Sequence, residues 1–128
     1  KILNELLGGG INQVVINKDR NYESGEVSVA EYAGAIHGKC FIIDDIISTG
    51  KTVVQAIDTL TQGGAREVYV FATHPVLSEN ASELLSKSKA VKIFVTESIP
   101  VAEEKKFEKV EILSIAKLIA GQIKALEA

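Results

Sequence analysis

Residues 40–52 read CFIIDDIISTGKT. The continuous apolar run 40–43 is typical of a strand that is covered on both faces. Two adjacent carboxylates, Asp44 and Asp45, end this predicted strand, and small hydroxylated residues and a glycine follow in the predicted loop 45–51. Apolar residues then recur at helical spacing between positions 53 and 60, which predicts a helix over 52–62. The stretch therefore predicts a strand, a short polar loop and a helix in direct succession.

The rest of the chain continues this alternation. Apolar runs predict strands over 13–17, 26–30, 68–72, 91–95 and 110–113, and helical patterns occupy 80–86 and the segment after Ser114, whose hydroxyl suits a helix cap. The polar segment 18–25 is predicted to be a mobile loop or hairpin tip. Such alternation implies an α/β fold of three layers, in which helices cover both faces of a mostly parallel sheet. The length of 128 residues suits a single domain, 1–128.

Charge and composition exclude several classes of protein. The formal net charge of −3 argues against a general partner for nucleic acid or for an anionic membrane, and no apolar run is long enough to span a bilayer. The single cysteine, Cys40, allows no internal disulfide. Two histidines far apart in sequence argue against a transition-metal site built from protein ligands alone. We expect a cytoplasmic protein.

The first seven residues have the pattern of a helix whose beginning is missing. Residues 1–7 read KILNELL, which is helix-like but has no capping residue before it, and the chain contains no methionine. We therefore expect that the N-terminal part of a longer protein is missing here.

The loop 45–51 has the composition of an anion-binding site. Open parallel sheets bind ligands beyond the carboxyl ends of their strands, where this loop is predicted to lie. The first backbone N–H groups of a helix have no partner within the helix and carry partial positive charge, so they suit a phosphate group. Ser48, Thr49 and Thr52 add hydroxyl donors, and Gly50 lets the backbone approach the phosphate closely.

Asp44 and Asp45 are acceptors that suit the hydroxyls of a sugar attached to this phosphate. The alternative is that one aspartate caps the helix while its neighbour is exposed, but capping alone does not explain the STGKT continuation. Gly50-Lys51-Thr52 also looks like the end of a nucleoside-triphosphate P-loop. That motif needs a glycine where Asp45 stands, which excludes it.

These residues resemble a known motif. The stretch 40–52 is similar to the phosphoribosyl pyrophosphate-binding motif of the type I phosphoribosyltransferase fold, and the segments 72–77 (ATHPVL), 98–100 (SIP) and 112–116 (ILSIA) look like the C-terminal half of ribose-phosphate pyrophosphokinases. Upstream, Lys18 and Arg20 stand where that family has the lysine and arginine of its catalytic flexible loop. The resemblance covers nearly all of the chain and looks closest to the archaeal branch.

The resemblance implies transfer of pyrophosphate from ATP to the 1-hydroxyl of ribose 5-phosphate, which gives phosphoribosyl pyrophosphate and AMP with Mg²⁺. In the family the adenine pocket and the main magnesium ligands lie in the N-terminal half, so this chain alone is expected to make no product. The family forms dimers and larger rings, so we expect a homo-oligomer. The resemblance implies a ribose 5-phosphate site at Asp44, Asp45, Ser48, Thr49, Gly50, Lys51 and Thr52.

Lys18 and Arg20 are the catalytic residues that the resemblance implies. On a closing loop they would bring positive charge to the triphosphate, and the planar arginine can contact two phosphate oxygens at once. Two positions depart from the family: Lys51 replaces a glycine, and Ser48 replaces a further acid that many members have. His74, which precedes a proline at a strand end, is expected to be structural.

Two other functions stay open at this stage. A base phosphoribosyltransferase would share the loop but would not be expected to have the Lys18 and Arg20 pair. A non-catalytic regulatory subunit of the synthase would keep the fold without turnover, and retention of both cations argues against it.

Overall fold

The strands and helices of the computed structural model alternate as predicted. The structure describes residues 5–9, 15–20, 27–33 and 35–127. The elements in these residues are β1 (Val15–Arg20), β2 (Val27–Ala33), β3 (Gly38–Ile47), α1 (Lys51–Gln62), β4 (Ala65–Pro75), α2 (Ala81–Ser86), β5 (Lys92–Thr96), β6 (Val110–Leu113) and α3 (Ala116–Glu127), with a 3-10 turn at Glu103–Lys105. Parts of the predicted strand 13–17 and of the predicted tip 18–25 lie outside the described residues.

The main sheet is parallel throughout the described residues. Its strand order is β3-β4-β5-β6, and each neighbouring pair runs in the same direction. Parallel neighbours need crossover connections, which α1 and α2 supply after β3 and β4. The hairpin of β1 and β2 is antiparallel and forms a separate sheet. The predicted α/β class with a mostly parallel sheet is confirmed.

Strand β3 is longer than its apolar run predicts. Its pairing with β4 continues through Ile46 opposite His74 and Ile47 opposite Pro75. The predicted loop over 45–51 is therefore wrong in length, since the connection to α1 contains only Ser48–Gly50. Backbone pairing with β4 does not require apolar side chains, so the two aspartates do not end the strand.

The hydrophobic core lies between the sheet and the first two helices. Val53, Ile57 and Leu60 of α1 are buried, as their helical spacing predicts, and Val54 is half-buried. They form one cluster with Leu85 of α2 and with side chains from a single face of the sheet, namely Val68, Val70, Ala72, Ile93 and Val95. This packing fixes α1 and α2 on one face.

The opposite face of the sheet is apolar and uncovered in the described part of the chain. Phe41 and Ile43 are 52% and 58% exposed, so the prediction of a strand covered on both faces is wrong for these two residues. Phe41 stacks on Tyr69 with 5.7 Å between ring centroids, and Phe71 stacks on Phe94 at 4.7 Å. The second helical layer of the predicted three is not among the described residues.

Helix α3 also has an uncovered apolar stripe. Its start matches the predicted cap, since Ser114 Oγ accepts a hydrogen bond from the Ala116 N–H at 3.3 Å. Glu97 Oε1 accepts a second bond, from the Ile115 N–H at 3.2 Å. However, Leu118 and Leu126 are 68% and 88% exposed, so the stripe is not buried.

Lys18 and Arg20 lie in a strand and not in the predicted loop. Both belong to β1, where they pair with Val29 and Val27 of β2. An antiparallel ladder bonds through backbone groups, which charged residues provide as well as apolar ones. The rest of the predicted loop, residues 21–25, lies outside the described residues.

Gly50 precedes α1 with a φ of 76°, a left-handed conformation. A Cβ atom at this position would lie 3.2 Å from Leu85 Cγ. Glycine is thus required both by the backbone turn and by the contact with α2. Gly38, with a φ of 69°, has no atom within 4 Å of such a Cβ and shares only the first requirement.

We expect Gly50→Ala to destabilise the chain more than Gly38→Ala. The left-handed backbone costs about 1–2 kcal/mol in both variants, and overpacking against Leu85 adds about 1–3 kcal/mol in the first. Urea unfolding of the two variants measures the difference in the free energy of unfolding. Equal losses would show that Leu85 moves aside freely.

Candidate functional site

The candidate site lies at the carboxyl edge of the parallel sheet. The loop Ser48–Gly50 leaves β3 there, and α1 begins immediately after it. Gly50 and Val53 are buried, while Ser48 and Lys51 are exposed. The loop therefore has its anchoring residues inside the core and its polar side chains at the surface.

Backbone donors are concentrated at the start of α1. The first helical bond of this region runs from the Val54 N–H to Gly50 O at 3.0 Å. Within the described ranges, no acceptor pairs with the N–H groups from Thr49 to Val53, and Gly50 has no side chain to cap them. Such N–H groups carry partial positive charge at a helix start, so the arrangement suits an anion.

The loop after β4 holds the loop after β3 in place. The Leu77 N–H donates to Ile47 O and the Ser78 N–H to Ser48 O, each at 3.0 Å. The hydroxyls of Ser48 and Ser78 also lie 3.0 Å apart. Two parallel loops are thus joined by backbone and side-chain bonds beyond the end of the sheet, which orients the Ser48 side chain.

The loop after β4 is strained. Leu77 and Glu79 have φ values of 46° and 52°, in the left-handed region that non-glycine residues rarely adopt. Leu77 is buried in the core cluster, whereas Glu79 is exposed. Sequence reasoning missed this loop, because neither residue type signals a positive φ.

Asp44 and Asp45 have different surroundings. Neighbouring strand residues project to opposite faces, and Asp44 is half-buried while Asp45 is exposed. The Asp45 N–H donates to Asp44 Oδ1 at 3.0 Å, which helps to orient the Asp44 carboxylate. The two side chains therefore present acceptors on either side of the β3 backbone.

A cavity of about 140 Å³ opens beside Asp44 on the uncovered face of the sheet. Its lining combines apolar side chains with two hydroxyls at the strand ends. The lining residues are Ile43, Asp44, Phe71, Ala72, Thr73, Phe94, Val95, Thr96 and Leu113. The loop residues 48–52 do not line this cavity, so the structure brings Asp44 but not the loop to it.

A hydrogen-bond network joins the ends of β4 and β5. The ring nitrogen Nδ1 of His74 lies 2.9 Å from Ser98 Oγ, which donates to Thr73 O at 2.8 Å. Thr96 Oγ1 also donates to Thr73 O, at 2.7 Å, and accepts from the Ser98 N–H at 3.1 Å. His74 was predicted to be structural, and the structure places it exposed at the same edge as the loop.

The structure gives fewer contacts for the other residues that the sequence analysis singled out. The backbones of Lys18 and Arg20 lie near the end of β1, and their side chains are outside what the structure describes. Thr52 is half-buried in the first turn of α1. Burial raises the pKa of the Cys40 thiol above its usual range, more than the bond with the His37 backbone lowers it, which disfavours a thiolate nucleophile.

Within the described residues, no three or more His, Cys, Asp or Glu side chains come together to hold a metal ion. None of the described helices has both the length and the apolar character needed to cross a bilayer.

Comparison with known proteins gives a consistent set of similarities. A family model described as a phosphoribosyl synthetase-associated domain matches residues 21–128. The chain is 38% identical over 120 residues to a ribose-phosphate pyrophosphokinase of Mycobacterium leprae, which covers 92% of this chain and 37% of that protein. It is 40% identical over 111 residues to ribose-phosphate pyrophosphokinase 1 of Streptococcus pneumoniae, with coverages of 85% and 34%.

A solved structure is similar as well. The phosphoribosylpyrophosphate synthetase of Mycobacterium smegmatis superposes with a TM-score of 0.81 at 35% identity, over 96% of this chain and 39% of that one. The chain thus spans little more than a third of the length of the relatives that it matches.

We expect Glu79→Gly to stabilise the chain by about 0.5–1 kcal/mol. Glycine removes a left-handed strain of about 1–2 kcal/mol, partly offset by the greater freedom that it gives the unfolded chain. Glu104→Gly is the matched control, because Glu104 is also exposed but does not have a positive φ, and it should lose stability. Urea unfolding compares the two. A loss at position 79 as large as that at 104 would show that the φ of Glu79 carries no strain.

Proposed function

Because the chain belongs to the phosphoribosyl synthetase family of ribose-phosphate pyrophosphokinases, we propose that it supplies the ribose 5-phosphate site of such an enzyme. The complete enzyme would transfer pyrophosphate from ATP to the 1-hydroxyl of the sugar and release AMP. The observation that carries this proposal is that the N–H groups from Thr49 to Val53, at the carboxyl edge of the sheet, have no acceptor in the part of the chain that the structure describes.

The 5-phosphate binds at the start of α1 in this proposal. The N–H groups of residues 49–53 point their partial positive charge at the anion, and the hydroxyls of Ser48, Thr49 and Thr52 supply further donors. Lys51 is exposed and adds a cation at the same helix start. The rigid attachment of Ser48 to Ser78 keeps the donors in position before the ligand arrives.

The ribose hydroxyls bind to acidic acceptors. Asp44 and Asp45 lie in the C-terminal part of β3, four and three residues before Ser48, where the loop's hydroxyl residues begin. A sugar phosphate anchored at α1 would extend back over the strand end toward these carboxylates. Their acceptor oxygens suit hydroxyl donors and would reject an unsubstituted alkyl phosphate.

Lys18 and Arg20 act on the triphosphate. In the reaction the oxygen of the sugar 1-hydroxyl attacks the β-phosphorus and releases its proton to solvent. The bond from that phosphorus to the oxygen of the α-phosphate breaks, and AMP departs with that oxygen. Charge spreads over the phosphate oxygens in the transition state, so positioning and cationic stabilisation dominate the chemistry. Both residues lie in the last three positions of β1, and we propose that they act on a segment that closes over the site.

Mg²⁺ accompanies the nucleotide in this proposal. Protein sites for Mg²⁺ use one or two carboxylates together with substrate phosphates. We propose that the main ligands lie outside this chain. Within the described residues, no three or more His, Cys, Asp or Glu side chains come together.

Further parts of the proposal concern the whole protein. We propose that this chain corresponds to the C-terminal half of the relatives and that the intact protein is a cytoplasmic homo-oligomer. The exposed aromatic face of the sheet supports burial against further protein. The archaeal branch stays a prediction, and the relatives compared above are bacterial.

We expect Thr52→Val to weaken binding of ribose 5-phosphate to this chain about tenfold, because a hydrogen bond to a charged phosphate is lost. Thr59→Val is the matched control on the same helix. Its hydroxyl donates to Gln55 O at 2.9 Å, away from the helix start, so affinity should stay unchanged. Isothermal titration calorimetry measures both. Equal affinities would remove the first turn of α1 from the site.

We expect Lys18→Ala in the complete protein to lower the rate of AMP release about 10²–10³-fold while sugar phosphate binding is retained, since the lysine stabilises charge only in the transition state. A coupled assay for AMP measures the rate.

The same assay on the unaltered chain of 128 residues should detect no product. Turnover by this chain would contradict the division between two halves, and a complete protein with no turnover to lose would identify a regulatory subunit.

A further inference from the structure

The network around His74 determines which ring nitrogen carries a proton. A serine hydroxyl has one hydrogen to donate, and Ser98 Oγ lies 2.8 Å from Thr73 O, which can only accept. The contact of 2.9 Å between Ser98 Oγ and His74 Nδ1 must then have the histidine as donor. In the neutral ring this assigns the proton to Nδ1 and leaves Nε2 as an acceptor.

The ring is also held in a fixed orientation. Ser98 is tied to the neighbouring strand end twice, through its hydroxyl to Thr73 O and through its N–H to Thr96 Oγ1. Thr96 in turn donates to the same carbonyl at 2.7 Å. These bonds join the ends of β4 and β5 and do not involve His74. The carbonyl and hydroxyl groups at these strand ends therefore have partners without the imidazole of His74. The Nε2 atom of the ring has no partner among the described residues.

His74 lies beside the candidate phosphate loop. Its Cα is paired with that of Ile46 in the β3–β4 ladder, two positions before Ser48. Its side chain is exposed at the edge where open parallel sheets bind ligands. An oriented acceptor and a group of donors, all without a partner among the described residues, are complementary to a molecule that has both a hydroxyl and a phosphate.

We propose that His74 is a ligand-binding residue of this site, with Nε2 accepting a hydrogen bond from a sugar hydroxyl of the phosphate ester bound at residues 48–52. Ser98 is the positioning residue that sets the tautomer and the orientation of the ring. This inference rests on the proposed function and deepens it, because it adds a specificity contact from β4 to a site otherwise built by β3 and α1.

The first test uses nuclear magnetic resonance of the unaltered chain labelled with ¹⁵N. The chain has two histidines, so His37 is an internal reference. Ribose 5-phosphate should shift the Nε2 signal of His74 and the amide signals of residues 49–53, and should leave His37 in place. Inorganic phosphate should shift the amides without an equal effect on Nε2.

The outcomes separate the two proposals. Amide shifts from ribose 5-phosphate with no change at His74 Nε2 overturn this inference and leave the proposed function standing. No shift at either position overturns the proposed function and this inference together.

The second test compares two substitutions by calorimetry. The amide of His74→Asn reaches the place of Nδ1 and can still donate to Ser98, whereas the longer His74→Gln side chain reaches the place of Nε2. A ligand-binding role predicts that the asparagine variant binds ribose 5-phosphate about five- to tenfold more weakly and that glutamine restores much of the affinity. A purely structural role predicts the reverse order, which would overturn the inference. His37→Asn is the control and should bind as the unaltered chain does.

Discussion

The parallel pairing of β3 with β4 is the constraint on which the candidate site depends. The pairing continues to Ile47 opposite Pro75, and two backbone bonds from Leu77 and Ser78 extend it beyond the strands. As a result, only Ser48–Gly50 connect β3 to α1. A connection this short cannot fold back on the start of the helix, so the N–H groups there are left for a ligand. Had the pairing stopped with the apolar run at Ile43, a longer loop could have supplied its own acceptors.

This arrangement has a cost in stability that the core offsets. A left-handed backbone at Leu77 costs about 1–2 kcal/mol, and burial of a leucine side chain contributes about 1.5–3 kcal/mol. Because Leu77 is buried beside Ile47 and Leu85, the strained conformation persists. Gly50 contributes differently, since its missing Cβ lets the loop approach Leu85 closely. The donors at the edge are thus held by contacts from inside the core.

The parts of the fold that could be predicted from sequence are those set by local periodicity. The spacing of Val53, Ile57 and Leu60 predicted the buried face of α1 correctly, and the apolar run located β3. The length of β3 could not be predicted, because its last pairs depend on backbone bonds to a strand distant in sequence.

The exposure of Phe41 could not be predicted either. An apolar run predicts that both faces of a strand are buried, but it does not show which part of the protein covers each face. Within the candidate site, residue types predicted the donors and acceptors of the stretch 40–52. The contacts of Ser78 and of Ser98 could not be predicted from local sequence, because they join residues 30 and 24 positions apart.

In our proposal, binding of the sugar phosphate depends on one face of the sheet, and turnover depends on the other. The buried residues that hold the loop, among them Ile47 and Leu85, lie in the cluster shared with α1 and α2. The stacked rings of Phe71 and Phe94 lie on the other face, where they are half-buried and where Phe41 and Ile43 are exposed. Loss of whatever protein covers that face would therefore leave the anchoring of the loop intact. In our proposal, affinity for the sugar phosphate resides in this chain, while the nucleotide and its metal bind mainly to protein outside it.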